Sequence, residues 1–265
     1  MLKAVIPAAG LGTRLLPVTK AIPKELFPLG TKPVIQYIVE EAIEAGMEEV
    51  IIILHKDKEL IRSYFEDLSY EEELKKSGKE ALLQSLKEIK KRAKLRFVYQ
   101  EKRGGLGAAV YLAKPFIDDF MLVMLGDSVI HSQVPAAEQL RQLHVEYGGS
   151  VINLEKIPPG DCVRRGMVDG VQVRPGLFKM TDFVEKPKTF HTDMGVSGRY
   201  LLSKNVFSEL ESVQKGYGGE LQLTDAIKRL LKKEEILAYF TEGKRFDIGS
   251  PDTYLEAIKA FMEQK

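Results

Sequence analysis

The sequence predicts a single α/β domain whose central sheet is mixed, mainly parallel, and flanked by helices. Three observations support this prediction. Short apolar segments alternate with longer amphipathic ones through the first half, in the order β-α-β-α-β-α-β-α, which is typical of parallel strands joined by right-handed crossovers. The second half has strands with few helices between them, which predicts antiparallel additions to the same sheet. No linker rich in Pro, Gly or Ser and no internal repeat divides the 265 residues.

The first half of the chain predicts four strands and four helices. Residues 49–54 contain VIIIL, a continuous apolar run typical of a strand buried on both faces of a sheet. Residues 33–45 carry apolar side chains at helical spacing, and Pro33 suits the first turn of that helix. The predicted strands lie at residues 2–7, 49–54, 95–99 and 121–125. The predicted helices lie at residues 33–45, 60–65, 105–113 and 135–147.

Residues 70–94 form a charged segment that differs from its surroundings. It contains EEELKKSGKE and LKEIKKRAK, in which Glu, Lys and Arg outnumber apolar residues. This composition predicts a solvated helix or helical hairpin, inserted on the surface between the second and third strands. A partner-binding or dimer arm is the alternative interpretation of the same segment.

The second half predicts five strands and three helices. Thr224 is a suitable N-cap for the second of these helices, because its hydroxyl can accept a hydrogen bond from an early backbone N–H. Pro251 lies near the first turn of the third helix. The predicted strands lie at residues 150–155, 166–173, 177–184, 198–202 and 236–240. The predicted helices lie at residues 204–210, 224–233 and 251–262. We expect one domain spanning residues 1–265, with a cleft between its halves.

Composition indicates an ordinary globular protein and argues against several classes. The apolar fraction is 44% and the formal net charge is +1, so we expect no binding to nucleic acid or to a membrane surface. No apolar run approaches the roughly 18 residues of a membrane span, and the first residues resemble a strand rather than a signal peptide. Cys162 is the only cysteine, which excludes an internal disulfide and fits a reducing compartment. We therefore expect a cytoplasmic protein.

The loop AAGLGTR, residues 8–14, follows the first predicted strand and is the first candidate site. In a parallel sheet, ligands bind beyond the carboxyl ends of the strands. Glycines there let backbone N–H groups approach an anion, and Arg14 and Lys24 add cations that suit a polyphosphate. The loop fits neither common phosphate-binding pattern, because Leu15 stands where a dinucleotide fingerprint needs a small residue and Thr13 and Arg14 break the P-loop pattern. A glycine-rich turn with surface cations is the alternative.

A longer string that includes this loop, AAGLGTRLLPVTKAIPKELFPL, resembles the signature of the sugar-nucleotide pyrophosphorylases. It is most similar to that of the bacterial UTP–glucose-1-phosphate uridylyltransferases. Further motifs of the family follow in order: Gln100 with GGLG at residues 104–107, Gly126-Asp127, VEKPK at residues 184–188, GRY at residues 198–200, E-x-QLTD at residues 220–225, and GK…D ending at Asp247. The resemblance implies a Rossmann-like nucleotidyltransferase fold with a nucleotide-binding N-terminal half and a sugar-phosphate-binding C-terminal half.

The resemblance also implies a reaction. A phosphate oxygen of glucose 1-phosphate attacks the α-phosphorus of UTP in line, and UDP-glucose and pyrophosphate are released. Because both substrates are anions, such catalysis consists mainly of positioning and charge neutralisation. By resemblance, Arg14 and Lys24 act on the nucleotide phosphates and Lys186 holds the sugar phosphate. Asp127 and Asp247 bind Mg²⁺, which prefers oxygen ligands and needs only one or two protein carboxylates.

The same resemblance assigns the substrate contacts. Gln100 would pair with a pyrimidine edge, to which its amide offers both a donor and an acceptor. Glu185 would accept hydrogen bonds from sugar hydroxyls. The remaining substrate-binding residues are Ala9, Gly10, Gly12, Thr13, Gly105, Gly166 and Gly198. Taken alone, each of these residues also fits an ordinary turn or surface position.

Two positions depart from the family pattern and leave the substrates open. Ala108 stands where the family often has His, and Arg165 precedes Gly166 where Tyr is common. The alternatives are an enzyme that uses dTTP or another sugar 1-phosphate, a non-catalytic module that binds sugar nucleotides, and an NAD-type protein. Retention of the charged residues argues against the module, and the missing third glycine argues against NAD. The implied partners are a nucleoside triphosphate, a sugar 1-phosphate and further copies of the chain in a dimer or tetramer.

Overall fold

The chain folds around one nine-stranded mixed sheet in a computed structural model that describes residues 2–67, 69–214 and 216–263. The strands are β1 (Lys3–Pro7), β2 (Pro28–Leu29), β3 (Lys32–Pro33), β4 (Glu49–Leu54), β5 (Lys94–Tyr99), β6 (Phe120–Met124), β7 (Ser128–His131), β8 (Ser150–Lys156), β9 (Gly166–Arg174), β10 (Leu177–Glu185), β11 (Met194–Ser203), β12 (Ile236–Phe240) and β13 (Lys244–Asp247). The α-helices are α1 (Val34–Glu44), α2 (Glu59–Glu66), α3 (Glu71–Lys76), α4 (Gln84–Arg92), α5 (Leu106–Tyr111), α6 (Ala136–Tyr147), α7 (Val206–Ser212), α8 (Leu223–Leu230) and α9 (Pro251–Glu263).

The order of the strands across the main sheet is β5-β4-β1-β6-β11-β8-β12-β10-β9. The first four strands are parallel, as in the pairing of Val5 with Ile51. β11 lies antiparallel to β6 and β8, β12 is parallel to β8, and β10 and β9 are antiparallel to their neighbours. The predicted mixed sheet is confirmed, with antiparallel additions in the second half of the chain. The prediction that it is mainly parallel is wrong, because four of the eight neighbouring strand pairs are parallel and four are antiparallel.

Apolar side chains on both faces of the sheet form two core layers. Val5 and Ile6 of β1 are both fully buried but point to opposite faces, because side chains alternate along a strand. Ile6 packs in the layer that contains Ile38 of α1, whereas Val5 packs in the layer that contains Val110 of α5 and Leu230 of α8. Each such side chain contributes about 1.5–3 kcal/mol when it is fully buried. Helices on both faces explain why the central strands are continuous apolar runs.

Two features of the fold differ from the sequence prediction. The short strands β2, β3, β7 and β13 are not predicted, and β7 pairs with β13 in a separate two-stranded sheet. Each has at most four residues, too few to show an alternating pattern. The predicted N-cap at Thr224 is wrong, because α8 begins at Leu223, after Gln222. The Thr224 hydroxyl donates instead to Glu185 Oε2 at 2.6 Å, so a long-range hydrogen bond replaces the local cap.

The charged segment predicted at residues 70–94 is helical. α3 has no buried residue, whereas α4 buries Leu86 and Ile89 and packs on α1 and β5. A 3-10 turn, Glu80–Leu83, leads directly into α4. The choice between a solvated surface element and a partner-binding arm stays a prediction. Neither these helices nor any other in the described ranges has the length and apolar character needed to cross a bilayer.

A fully buried arginine joins several elements of the fold. Arg199 of β11 donates from Nε to Glu41 Oε1 at 3.0 Å, and from Nη2 to the Ser128 carbonyl at 2.9 Å and to Glu41 Oε2. Glu41, in α1, also accepts from the backbone N–H of Ala137 at the start of α6. The backbone N–H of Arg199 donates to Asn153 of β8 at 2.7 Å. The pair therefore holds β7, α1 and α6 against the main sheet.

We expect Arg199→Met to destabilise the protein strongly, because it leaves the buried Glu41 carboxylate without its compensating cation. Breaking a buried ion pair from one side costs about 3–5 kcal/mol. Urea unfolding followed by circular dichroism measures the loss. Arg62→Met is the control, since it removes an arginine from an exposed, solvent-screened pair with Glu66 and should cost much less. Similar losses in the two variants would contradict the role assigned to Arg199.

Candidate active site

A cleft of about 530 Å³ opens beyond the carboxyl ends of β1 and β6. The loop of residues 8–14 contributes to one wall, and the segment after β5 contributes to another. The lining residues are Pro7, Ala9, Gly10, Leu11, Gly12, Thr13, Lys24, Glu25, Gln100, Arg103, Gly105, Leu106, Ala109, Leu125, Asp127 and Glu220. The structure thus brings the predicted residues of the first loop together with Lys24, Gln100, Gly105 and Asp127.

The first loop turns at Gly12 and leaves space beside Gly10. Gly12 has a φ of 70°, in the left-handed region that glycine adopts without a steric penalty. Its carbonyl accepts a hydrogen bond from Thr19 Oγ1 at 2.9 Å, and a 3-10 turn, Thr13–Leu15, follows. A Cβ on Gly10 would meet no atom within 4 Å. A ligand can therefore approach the backbone of the loop on this side.

Lys24 and Asp127 form an ion pair in the cleft, with Lys24 Nζ donating to Asp127 Oδ2. Burial alone would lower the pKa of Lys24, but the charges of Asp127, Glu25 and Asp247 outweigh burial and raise that pKa. Burial alone would raise the pKa of Asp127, but Lys24 and Arg245 outweigh it and lower that pKa to about 2. Both side chains are therefore charged at neutral pH.

A second buried lysine holds the turn that carries Lys24. Lys58 Nζ donates to Glu25 Oε1 at 2.8 Å and to Glu25 Oε2 at 2.7 Å. Burial raises the pKa of Glu25 and lowers the pKa of Lys58. The attraction between the two charges shifts each pKa in the opposite direction, but burial outweighs it. The pair ties the turn to the segment between β4 and α2. Sequence reasoning missed both residues, although Glu25 directly follows Lys24 in the PKEL string.

The two predicted metal ligands, distant in the sequence, are neighbours in the structure. β13 pairs with β7 so that Asp247 lies opposite Ser128. The backbone N–H of the residue that follows Asp247 donates to the Asp127 carbonyl at 2.9 Å. A Cβ on Gly249 would lie 2.7 Å from Asp247 Oδ1 and 3.2 Å from Arg14 Nη2. The Arg14 guanidinium therefore lies near the same carboxylate, beside the cleft.

The donor set at this place fits magnesium. Within the described ranges, no group of three or more His, Cys, Asp or Glu side chains could hold a metal ion. Asp127 and Asp247 supply two carboxylates, and Mg²⁺ uses one or two protein carboxylates while water and substrate phosphates complete its octahedron. Side chains of opposite charge compensate both carboxylates: Lys24 donates to Asp127, and Arg245 Nη2 donates to Asp247 Oδ2 at 3.0 Å.

Glu185 and Lys186 lie at the end of β10, where Glu185 is opposite Gly166 of β9. Glu185 Oε2 accepts the hydrogen bond from Thr224, and Lys186 Nζ lies 3.3 Å from Glu185 Oε1. Lys186 has a φ of 47°, a conformation that is uncommon for a non-glycine residue and clusters at functional sites. A Cβ on Gly166 would lie 2.6 Å from Phe183 Cε2, so glycine is required there.

Gly198, in β11, lies against a residue of the cleft lining. It has a φ of 83°, at an irregularity of β11. Its carbonyl accepts from the N–H of Leu125, a lining residue, at 3.0 Å. Among the described residues, Gly166, Glu185, Lys186 and Gly198 are not part of the cleft lining itself. Of these four residues, Gly198 therefore adjoins the cleft through Leu125.

Gln100 presents a buried side-chain Nε2 for which the described part of the chain offers no acceptor. It follows β5 and is 6% exposed. Its backbone N–H donates to the Leu54 carbonyl at 2.7 Å, which fixes it at the end of β4. Side-chain Nε2 finds no acceptor among the described residues, although buried polar groups are nearly always hydrogen bonded. Because Gln100 lines the cleft, an acceptor on a ligand would complete its bonding.

Arg103 also lines the cleft, and sequence reasoning missed it. Its Nε donates to the Ala9 carbonyl at 3.0 Å, and its Nη2 donates to Asp57 after β4. These contacts link the first loop to the segment that follows β4. Two residues later, a Cβ on Gly105 would lie 2.7 Å from Glu220 Cβ, so two of the motifs pack against each other. Proximity to the GGLG motif was the one signal that pointed to Arg103.

Comparison with known proteins finds relatives along nearly the whole chain. Residues 3–264 match the family model of the nucleotidyl transferases. A UTP–glucose-1-phosphate uridylyltransferase of Staphylococcus epidermidis is 43% identical over 251 residues, which cover 93% of this chain and 87% of that protein. A protein of the same name from Bacillus subtilis is 39% identical over 266 residues, which cover 99% of this chain and 91% of that protein.

Solved structures show the same fold. A UDP-glucose pyrophosphorylase complexed with UDP-glucose matches with a TM-score of 0.92 at 34% identity, and the match covers 100% of both chains. A UTP-bound UGPase from Acinetobacter baumannii matches with a TM-score of 0.89 at 33% identity, covering 100% of this chain and 95% of that one. Since the family model and these relatives extend over almost all of its residues, the chain belongs to the nucleotidyl transferase family.

Proposed function

We propose that this protein transfers the uridylyl group of UTP to glucose 1-phosphate and releases UDP-glucose and pyrophosphate. The observation that carries the proposal is the meeting of two carboxylates, Asp127 and Asp247, with the cations Lys24 and Arg14 at a glycine-rich loop. A reaction between two anions requires such groups. The names of the relatives support UTP and glucose 1-phosphate as the substrates.

In the proposed reaction, positioned charges lower the barrier to attack on the α-phosphorus. Arg14 and Lys24 bind triphosphate oxygens and offset the charge that develops as pyrophosphate leaves. Asp127 and Asp247 would hold Mg²⁺, which, when bound, neutralises charge on phosphate oxygens and helps to orient them. No covalent nucleophile of the protein is needed, because the sugar phosphate supplies the attacking oxygen.

Gln100 is the proposed contact for the pyrimidine. Its unpaired Nε2 would donate to a base carbonyl, and the backbones of Ala9, Gly10 and Gly105 would contact the base. Gly12 and Thr13 would lie against the phosphates. Uracil and thymine differ by one methyl group, and such a group changes binding by only about 1–3 kcal/mol. For this reason dTTP is the second nucleotide to test.

Lys186 is the proposed contact for the sugar phosphate, and Glu185 for the sugar hydroxyls. The Thr224 hydroxyl orients the Glu185 carboxylate, and Gly166 and Gly198 allow the sugar to approach the backbone. In this scheme residues 1–265 form one domain with a nucleotide-binding half and a sugar-phosphate-binding half, and residues 70–94 are an insertion in it. A cytoplasmic location and a dimer or tetramer stay predictions.

A matrix of nucleoside triphosphates against sugar 1-phosphates, with pyrophosphate measured in each well, tests the proposed function. We expect UTP with glucose 1-phosphate and Mg²⁺ to give the highest rate. A higher rate with dTTP would identify the thymidylyl alternative. Binding of UDP-glucose in calorimetry, with no pyrophosphate from any pair of substrates, would identify a non-catalytic module.

Asp127→Asn and Asp247→Asn should each lower the rate of pyrophosphate release by roughly 10²–10³-fold, as does removal of one electrostatic stabiliser of a transition state. The amide keeps the shape of the side chain but loses the charge that binds a divalent cation. The rate is measured at saturating substrates and Mg²⁺, with circular dichroism to verify the fold. Asp118→Asn is the matched control, because its carboxylate is 77% exposed. Full magnesium-dependent turnover in either active-site variant would remove that residue from the metal site.

Lys186→Ala should raise the KM for glucose 1-phosphate by roughly 10–100-fold, because a hydrogen bond to a charged group contributes about 1.5–3 kcal/mol. The KM for UTP should stay near the wild-type value, since Lys186 lies outside the lining of the cleft. Steady-state kinetics with each substrate varied in turn measure both constants. Lys188→Ala removes an exposed lysine of the same motif and is the control. If the two variants behave alike, Lys186 does not bind the sugar phosphate.

A further inference from the structure

Arg245 is a buried cation to which the proposed reaction gives no task. Its side chain is 9% exposed. The guanidinium donates from Nε to Ser128 Oγ at 2.6 Å, from Nη1 to Glu155 Oε1 at 2.9 Å, and from Nη2 to Asp247 Oδ2 at 3.0 Å. These acceptors belong to three different strands, β7, β8 and β13. A planar guanidinium with donors in fixed directions is suited to such a set of contacts, whereas an ammonium group is not.

Two of the three acceptors belong to, or adjoin, the assigned metal ligands. Asp247 is itself one ligand, and Ser128, which is fully buried, directly follows Asp127, the other. β7 and β13 have four residues each and, within the described ranges, pair with each other rather than with the main sheet. Their backbone ladder alone therefore does not fix them against the main sheet, and side-chain contacts such as those of Arg245 must do so.

Glu155 holds Arg245 in this orientation and connects it to Lys186, the proposed contact for the sugar phosphate. Glu155 lies near the end of β8, and its Oε1 accepts from both Arg245 and Arg165. The Arg165 carbonyl accepts from the N–H of Lys186 at 2.9 Å. Contacts therefore run without interruption from Lys186 through Arg165, Glu155 and Arg245 to Asp247.

We infer that Arg245 is a positioning residue that holds Asp247 and the start of β7 in the orientation a divalent cation needs, and that Glu155 holds Arg245 in turn. The inference rests on the proposed function, from which it takes the metal ligands. Three of the five N–H donors of Arg245 bond to protein acceptors, two of them Asp247 and Ser128, so Arg245 acts through these residues rather than on a substrate. Replacing the guanidinium by another cation should therefore weaken binding of the metal and leave binding of the nucleotide sugar intact.

The test measures binding of Mn²⁺ and of UDP-glucose separately in the Arg245→Lys variant. Electron paramagnetic resonance of free Mn²⁺ follows metal binding in the presence of UDP-glucose, with no pyrophosphate added so that no turnover occurs. Calorimetry in EDTA follows UDP-glucose binding without metal. We expect Mn²⁺ affinity to fall by roughly 10–100-fold, the usual effect of losing a hydrogen-bonding partner of a metal ligand. We expect UDP-glucose affinity in EDTA to stay at the wild-type value.

Two further variants make the result specific. Lys244→Met removes a cation from the same strand, but neighbouring side chains point to opposite faces of a strand, and Lys244 is exposed. Both affinities should therefore be unchanged in this control. Glu155→Gln leaves Arg245 in place and removes the charge that orients it, so it should weaken Mn²⁺ binding by a smaller factor. If circular dichroism shows that Arg245→Lys does not fold, Glu155→Gln tests the inference in its place.

Three outcomes would overturn the inference. One is wild-type Mn²⁺ affinity in both the Arg245→Lys and the Glu155→Gln variants. Another is a loss of UDP-glucose affinity in EDTA as large as the loss of Mn²⁺ affinity, because Arg245 would then contact the substrate. The third is a wild-type protein that binds no Mn²⁺ with UDP-glucose present, in which case the metal ligands of the proposed function fail first and the role of Arg245 fails with them.

Discussion

The charge on two neighbouring acidic residues is the constraint around which the site is arranged. Asp127 and Asp247 are brought together by the pairing of β7 with β13, and a carboxylate that is partly removed from water must be compensated by cations or hydrogen bonds. Cations from separate parts of the chain compensate: Lys24 from a turn after the first loop, Arg245 from β13, and Arg14 near Gly249. The pKa of Asp127 falls to about 2, so the compensation by Lys24 and Arg245 exceeds the effect of burial. The same concentration of cations is what a triphosphate needs.

Two buried ion pairs hold the elements that carry these charges. Lys58 and Glu25 fix the turn of Lys24, and Arg199 and Glu41 fix β7. Buried pairs add little net stability, because the desolvation of both charges offsets their attraction. Their contribution here is geometric, since any other packing of these elements would leave a charge buried and unpaired. Apolar packing builds the two core layers, and electrostatics determines where the reactive groups lie on them.

The main sheet could be predicted from the sequence, because strands such as β1, β4 and β6 are continuous apolar runs between turn residues. Local pattern could not predict that Asp127 and Asp247 meet, because β7 and β13 are too short to show one; motif resemblance selected both residues. Arg103, Glu155 and Arg245 were missed for another reason. A single charged residue that no motif specifies has the same appearance in a sequence whether it is solvated or buried, and only the fold distinguishes the two cases.

Two departures from ordinary protein geometry coincide with residues that the motifs select. Gln100 has a buried donor with no acceptor among the residues that the structure describes, at a cost of about 1–3 kcal/mol. Lys186 has a left-handed backbone that non-glycine residues rarely adopt. Such exceptions are expected at functional sites, because sequences are otherwise locally consistent. The motifs are defined by residue identity, whereas these exceptions are features of conformation. Because the two kinds of observation are independent, their agreement supports the assignment of the site residues.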